Sequence, residues 1–385
     1  VTKASPYPLA LLALAGTGVF MAAATGMTRA PFLLQMARDF ATDLVMVSHL
    51  LSVTAVTWGV TAFFTGALGA AFGRRRVLMG GQVVLGLSMV GIALAQSYGQ
   101  AVVCVAVGGS ACGAYMGTVF GEVAERVEYS MRGRAMGWVI GGQSLALLLG
   151  VPAASWIGSF VGWRGVSLVI AACAFAVAVA TCFVFPPSPA RAGGGAGGPG
   201  LRAALRPRIL ALLGASVMER TCFGLVATFF ATYLQLAHGL GLAELALPLA
   251  LVAGGNFLGN MIGGRLADAW RDRALLYAIS ALGTGAVAVA LFVPERGVTA
   301  AVALGVAYGL VNGVSRPALV SLLSATPPEV RGTVLGINIT CASVGWVTSA
   351  IAGGALAAAG AWGALGWTLL GLGVAGAALG MAGRK

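Results

Sequence analysis

Four ionisable side chains stand inside long apolar runs of this sequence: Arg29, Glu219, Arg220 and Arg316. A charge carried into a lipid-like interior costs about 2.5 to 3.5 kcal/mol even on insertion scales, so each is a functional candidate by default. A guanidinium is a planar fork matched to carboxylate or phosphate. Three of them against one deeply placed carboxylate predict a net-positive interior suited to an anionic ligand. Arg316 follows Asn312 by one helical turn, which puts both on one face. Glu219 and Arg220 are neighbours, about 100° apart around a helix, so they are expected to address different spots, one a cavity and the other an adjoining helix. Glu219 is the candidate proton-coupling residue, its protonation tied to whether a ligand occupies Arg220 or Arg316. Glu122, near the end of its apolar run, reads as half-buried. The competing role for each arginine is that of a strut, bonded to backbone carbonyls or snorkelling to an interface, and for Arg29, two residues before Pro31, that role stays open.

Neutral amides add to this set. Gln143, Asn256, Asn260 and Asn338 also lie within apolar runs, where a lipid-facing amide is costly and an inward one is expected. Each can either touch a ligand or join helices together. Trp58, Tyr115, Phe223 and Trp346 can wall a site or simply pack. The six cysteines lie in apolar runs without metal spacing and read as small packing residues. The two histidines, His49 and His238, have no nucleophile or metal-ligand constellation around them, and no Gly-x-x-x-x-Gly-Lys phosphate loop occurs. The reading is therefore not an enzyme, with no cofactor and no metal, and with its energy drawn from a gradient.

What positions these residues follows from composition. The chain is 59% hydrophobic and 9% charged, where an ordinary soluble domain has about 25% charged residues, and its mean hydropathy is +0.93. No soluble core hides that much apolar surface, so lipid must be its solvent. The net charge of +12 is dispersed over short gaps rather than gathered on a polar domain, which argues for membrane topology and against nucleic acid. Runs long enough to cross a bilayer fall near 9–36, 47–71, 77–96, 100–124, 135–160 and 165–186, then near 208–236, 244–267, 274–294, 298–325, 333–358 and 363–382. The expectation is an all-α membrane protein of 12 transmembrane helices in two pseudo-symmetric six-helix bundles, 1–186 and 208–385. A Gly/Pro-rich linker, 187–207, joins them. Seventeen basic residues fall in gaps on the side of the termini and three, Arg38, Arg164 and Arg296, on the other, which predicts cytoplasmic termini.

The halves echo one another. Gly66-Ala67-Leu68 to Gly73-Arg74-Arg75-Arg76 returns as Gly264-Arg265-Leu266-Ala267-Asp268 to Arg273; Arg132-Gly133 returns as Arg331-Gly332; Leu34-Gln35 returns as Leu234-Gln235. Arg29 has Phe229, not Arg220, at the matching place, so the arginines are not a symmetric pair.

Over essentially its whole length the chain resembles the major facilitator superfamily, whose hallmark loop between spans two and three has the form Gly-x-Leu-x-Asp-x-x-Gly-Arg-Arg. Gly66, Leu68, Gly73, Arg74 and Arg75 fit one copy; Gly264, Leu266, Asp268 and Arg273 fit the second. The resemblance implies a gating role for Gly66, Gly73, Arg74, Arg75, Asp268 and Arg273. It also implies that Asp268 pairs with Arg271, Arg273, Arg132 or Arg134. In the fifth span, Gly141-Gly142, Gly150-Val151-Pro152, Gly158 and Gly162-Trp163-Arg164 look like the sugar-efflux branch of the drug/proton antiporters, and Gly150 and Pro152 are the implied gate. Two departures weaken a standard drug/proton mechanism: Ala70 replaces the loop aspartate of the first copy, and Gly109 stands where a span-four arginine is usual.

The leading expectation is a secondary active transporter working by alternating access, exporting a small organic molecule against protons. Uptake or exchange of an organic anion through the buried arginines is the alternative, and a non-transporting receptor of the same build is the alternative of another class. The expected partners are a small substrate, proton and lipid, with the chain a monomer in a bacterial inner membrane.

Overall fold

In the computed structural model the described residues are 9–127, 132–185 and 206–384, and their regular structure is entirely helical. Up to residue 205 the expected linker 187–207 lies outside them. Two compact units emerge. One comprises 1–42 and 53–196, the other 43–52 and 197–385.

In chain order the helices reaching the first unit are α1 (Leu9–Met27), α2 (Leu33–Asp39), α3 (Leu44–Phe63), α4 (Thr65–Phe72), α5 (Arg74–Leu94), α6 (Tyr98–Arg126), α7 (Arg132–Leu145) and α8 (Val151–Val184). The first turns of α3 group with the second unit. The remaining helices of that unit are α9 (Pro207–His238), α10 (Leu242–Ala269), α11 (Arg273–Phe292), α12 (Val298–Ser324), α13 (Pro328–Ala358) and α14 (Trp362–Ala382). The packing pattern repeats: α1 packs on α7, and α5 on α6 and α8, as α9 packs on α13, and α11 on α12 and α14. Large apolar side chains such as Trp138, Phe160, Phe183, Leu247 and Trp367 stand exposed, as they must where lipid is the solvent.

Eleven helical stretches among the described residues are long and apolar enough to cross a membrane. One of them, Ala135–Val184, has 50 residues, about 75 Å at helical rise against a hydrocarbon core of about 30 Å. Inside it the backbone leaves helical geometry at Gly162, with φ 67° and ψ 177°, a region that a side chain disfavours. The turn there aims two neighbours at other spans. Trp163 Nε1 donates to Asp39 Oδ2 at 2.8 Å, and Arg164 Nη1 donates to Ala93 O and Ala95 O, both at 2.7 Å. Gly162-Trp163-Arg164 is thus a clamp across the ends of three helices.

Several expected spans are also not straight. The chain turns at Thr28 and Arg29 and passes through a 3-10 stretch, Ala30–Phe32, before α2 begins. Pro31 explains the break, having no N–H to continue the helix and a ring that collides with the preceding turn. The expected run 47–71 divides at Phe64 (φ −92°, ψ 4°) into α3 and α4. Ahead of α8 the helix widens to π geometry over Ala146–Gly150, with Pro152 in the first turn that follows. A proline removes one i→i−4 bond, and the wider turn absorbs the loss.

Candidate functional site

The densest interior chemistry lies in the second unit, on α9. This helix opens on Pro207, closes on Gly239 in left-handed geometry, and is buried nearly all round over 219–234. Glu219 and Arg220 therefore enter the interior together. Their side chains meet: Arg220 Nε donates to Glu219 Oε2 at 2.6 Å and Nη2 donates to Oε1, a two-point grip on the carboxylate. The expectation that neighbours 100° apart address different spots fails here. Their Cβ atoms do diverge, but the long arginine side chain curls back to its neighbour. The Arg220 guanidinium also lies 4.7 Å above the Phe223 ring, and Phe223 meets Trp346 of α13 edge-on at 5.7 Å. Gly345 of α13 sits so close to Arg220 that a methyl there would overlap its Cβ.

Arg316 reaches the same carboxylate from α12, its Nη1 3.3 Å from Glu219 Oε2. One acid thus holds two bases, and the cluster carries one excess positive charge. The three side chains differ in access: Glu219 keeps 2% of its side-chain surface and Arg220 10%, while Arg316 keeps 34%. Arg316 is the most exposed member of the three.

Asn312, one turn before Arg316, turns to α10, where its Oδ1 accepts from Asn256 Nδ2 at 3.3 Å. Asn256 Nδ2 also donates to Gly309 O, and Asn260 Nδ2 donates to Asn256 O and Oδ1. These amides knit α10 to α12 where the backbones nearly touch, since a methyl on Gly259 would overlap Leu310 O and one on Gly313 would overlap Asn256 O. Asn338 accepts from Ser216 and so joins α13 to α9. Glu219 and Asn312 also border a gap of about one water molecule, shared with Ser315, Tyr277 and Thr284.

The first unit holds Arg29, buried, with Nη1 donating to Thr54 Oγ1 of α3 at 2.8 Å. Gln143, half-buried on α7, makes no hydrogen bond to a described residue. Gly150 abuts the Phe20 ring of α1, and Pro152 is buried in the first turn of α8. Sequence reasoning passed over Gln82, which is wholly buried and donates from Nε2 to Gly18 O at 3.0 Å, while its Oε1 and the nearby Tyr115 hydroxyl find no hydrogen-bond partner among the described residues. An amide in mid-span was the available signal.

The loop motif of the first unit is built differently from its pattern. Gly66 lies in α4, and Gly73 joins α4 to α5 at φ 80°, ψ 138°. Arg74 Nη1 lies 3.5 Å from Glu122 Oε2, Arg126 Nε donates to Glu122 Oε1, and Arg75 Nη2 donates to Cys182 O. Glu122 is 2% exposed, not half-buried as expected: its two arginines make that burial tolerable. A carboxylate from α6 thus meets Arg74 although Ala70 offers none. In the second copy Asp268 is exposed and pairs with neither Arg271 nor Arg273; Arg273 Nε donates instead to Ala267 O at 2.9 Å. The side chains of Arg132 and Arg134 are outside the described set. Asp272 does the structural work here, accepting from Leu275 N and pairing with Arg384 at 2.7 Å.

The sequence profile of the Major Facilitator Superfamily matches residues 14–326 and, again, 212–384. The chain belongs to the Major Facilitator Superfamily. Its place is accordingly among multi-pass transporter proteins of the membrane, not among enzymes. Within the superfamily it is similar to the uncharacterised transporter YwfA of Bacillus subtilis, at 35% identity over 159 residues, 41% of this chain and 38% of YwfA. A chloramphenicol resistance protein of Streptomyces lividans is 29% identical over 68% of this chain and 67% of that protein. The inner membrane transport protein YdhP of Escherichia coli is 27% identical over 92% and 90% of the two chains. Among solved structures, a bacterial homologue of the human lysosomal transporter Spinster, in an inward-facing and unoccupied conformation, shares the fold with TM-score 0.69. It is 14% identical, covering 99% of this chain and 96% of that one.

Proposed function

We propose that this protein is a secondary active transporter that works by alternating access and exports a small organic molecule in exchange for protons, with Glu219 as the coupling residue. The observation that carries the reading is the pair of arginines on one buried carboxylate, since Glu219 can release Arg316 only if something else satisfies the charges. A proton on Glu219 does so from one side. An anionic group on Arg316 does so from the other. Protonation of Glu219 and occupancy of Arg316 are thereby linked through one ion-pair cluster, which is a coupling device. The resemblance to a chloramphenicol resistance protein supports export as the direction. The half-exposed Arg316 and the excess positive charge favour a second reading in the same site, exchange or uptake of an organic anion.

The same proposal takes the 50-residue stretch as two spans divided at Gly162, which makes twelve, places both termini in the cytoplasm and the monomeric chain in a bacterial inner membrane. Purified protein in vesicles with an imposed pH gradient tests the mechanism. Wild type should move substrate only while the gradient lasts, and Glu219→Gln should keep substrate exchange but lose gradient-driven accumulation. Full gradient-driven transport by Glu219→Gln would remove Glu219 from the mechanism.

A further inference from the structure

Arg29 has no acid. Its residue is 7% exposed, and among the described residues no carboxylate comes within ion-pair distance of it. A guanidinium has five N–H donors, and the fold shows a partner for one, the bond from Nη1 to Thr54 Oγ1. The neighbouring groups are already engaged: Thr25 Oγ1 donates to Ala22 O at 2.7 Å, and Cys112 Sγ lies 3.3 Å from the same oxygen. The other nitrogens of Arg29 are not among the buried polar atoms that the fold seals off without a partner. Thr54 itself is held in place by close backbone packing, because a methyl on Gly109 of α6 would overlap Thr54 O and the Thr57 hydroxyl.

The position matters as much as the missing acid. Arg29 stands at the break in the first span, between α1 and the 3-10 stretch that carries Pro31. Interrupted helices in membrane proteins are tolerated where they are buried in protein or border a cavity, and there they serve as binding points. A cation held at such a break without an internal counter-charge is an incomplete ion pair.

We propose that Arg29 anchors an anion-binding site in the first unit, completed by a small monoanion: a free halide, or the carboxylate head of a transported molecule. Nη1 and the Thr54 hydroxyl fix the guanidinium plane, and the remaining donors hold the anion. The site is separate from the Glu219 cluster and does not depend on any coupling role there.

Thermal unfolding of the purified full-length protein in halide-free HEPES buffer tests it, with sodium chloride or sodium benzoate titrated in and sodium sulfate at matched ionic strength as the screening control. A ligand that binds only the folded state raises the midpoint in a saturable way. Saturable stabilisation by chloride or by benzoate, absent with sulfate, is expected in wild type and in Arg38→Gln, an exposed-arginine control, and is expected to vanish in Arg29→Gln. Response to chloride alone assigns the free halide; response to benzoate alone assigns the carboxylate. No saturable response in wild type, or an undiminished one in Arg29→Gln, overturns the site. If the response survives Arg29→Gln and is lost in Arg316→Gln, the anion belongs to the second unit, and the proposed function stands while this inference falls. Should Arg29→Gln not fold, Thr54→Val, which keeps the charge and removes its hydroxyl, is expected to raise the half-saturating concentration about tenfold; an unchanged value overturns the site equally.

Discussion

The two units handle buried arginine in opposite ways. In the second, Arg220 and Arg316 share Glu219, and the acid pulls both guanidinium groups into one hydrogen-bonded cluster. In the first, Arg29 has a threonine hydroxyl and, among the described residues, no acid. A charge paired within the fold can be kept permanently inside a membrane protein. A lone one waits for its partner to arrive from outside. Under the two roles proposed above, protonation alters the balance of the cluster and ligand alters that of the lone cation.

That contrast breaks most easily at the acid. Glu219→Ala leaves two interior guanidinium groups without their carboxylate, and the expected loss of stability is about 3–5 kcal/mol, read as a depressed unfolding midpoint in detergent. Arg29→Gln should act the other way. Removing an unpaired charge strands no acid, so in halide-free buffer the variant is expected to be at least as stable as wild type; a loss as large as that of Glu219→Ala would show that Arg29 is compensated within the chain after all. A smaller effect is expected at Glu122, whose partners Arg74 and Arg126 keep 31% and 30% of their side-chain surface and can turn to water. Glu122→Gln should cost about 1–2 kcal/mol. Asp268, exposed and unpaired among the described residues, closes the series: Asp268→Asn should change stability by less than about 0.5 kcal/mol. A larger loss would show that this carboxylate meets a base outside the described residues.

Much of this was legible in the sequence because apolar runs and their charged gaps are dictated by the bilayer, one run at a time. The burial of Arg29, Glu219 and Arg220 followed from the same one-dimensional logic. Pairing did not. Arg316 and Glu219 are 97 residues apart, and nothing local in α12 says which helix its guanidinium will reach. Glu122 was misjudged for the same reason: its depth depends on Arg74, which a different helix supplies. Glu219 and Arg220 meet although their Cβ atoms diverge, because an arginine side chain is long and flexible enough to fold back on its neighbour. Among the backbone irregularities, Pro31 and Pro152 announced theirs, whereas the break at Phe64 follows no proline or glycine. Asn256 and Asn260 were legible as inward-facing amides, but only the close approach of α10 and α12 reveals that they bond across that seam.

The clamp at Gly162 has a consequence for the order in which the protein is made. Arg164 and Trp163 bind groups on chain segments synthesised long before them, Ala93 and Ala95 at the end of α5 and Asp39 at the end of α2. Until the ribosome has delivered residue 164 those carbonyls and that carboxylate have no such partners, and the earlier helix ends cannot settle against one another through them. The first unit is therefore fastened late, by the stretch around Gly162, and a nascent chain halted before residue 164 would hold its helices unfastened at this corner.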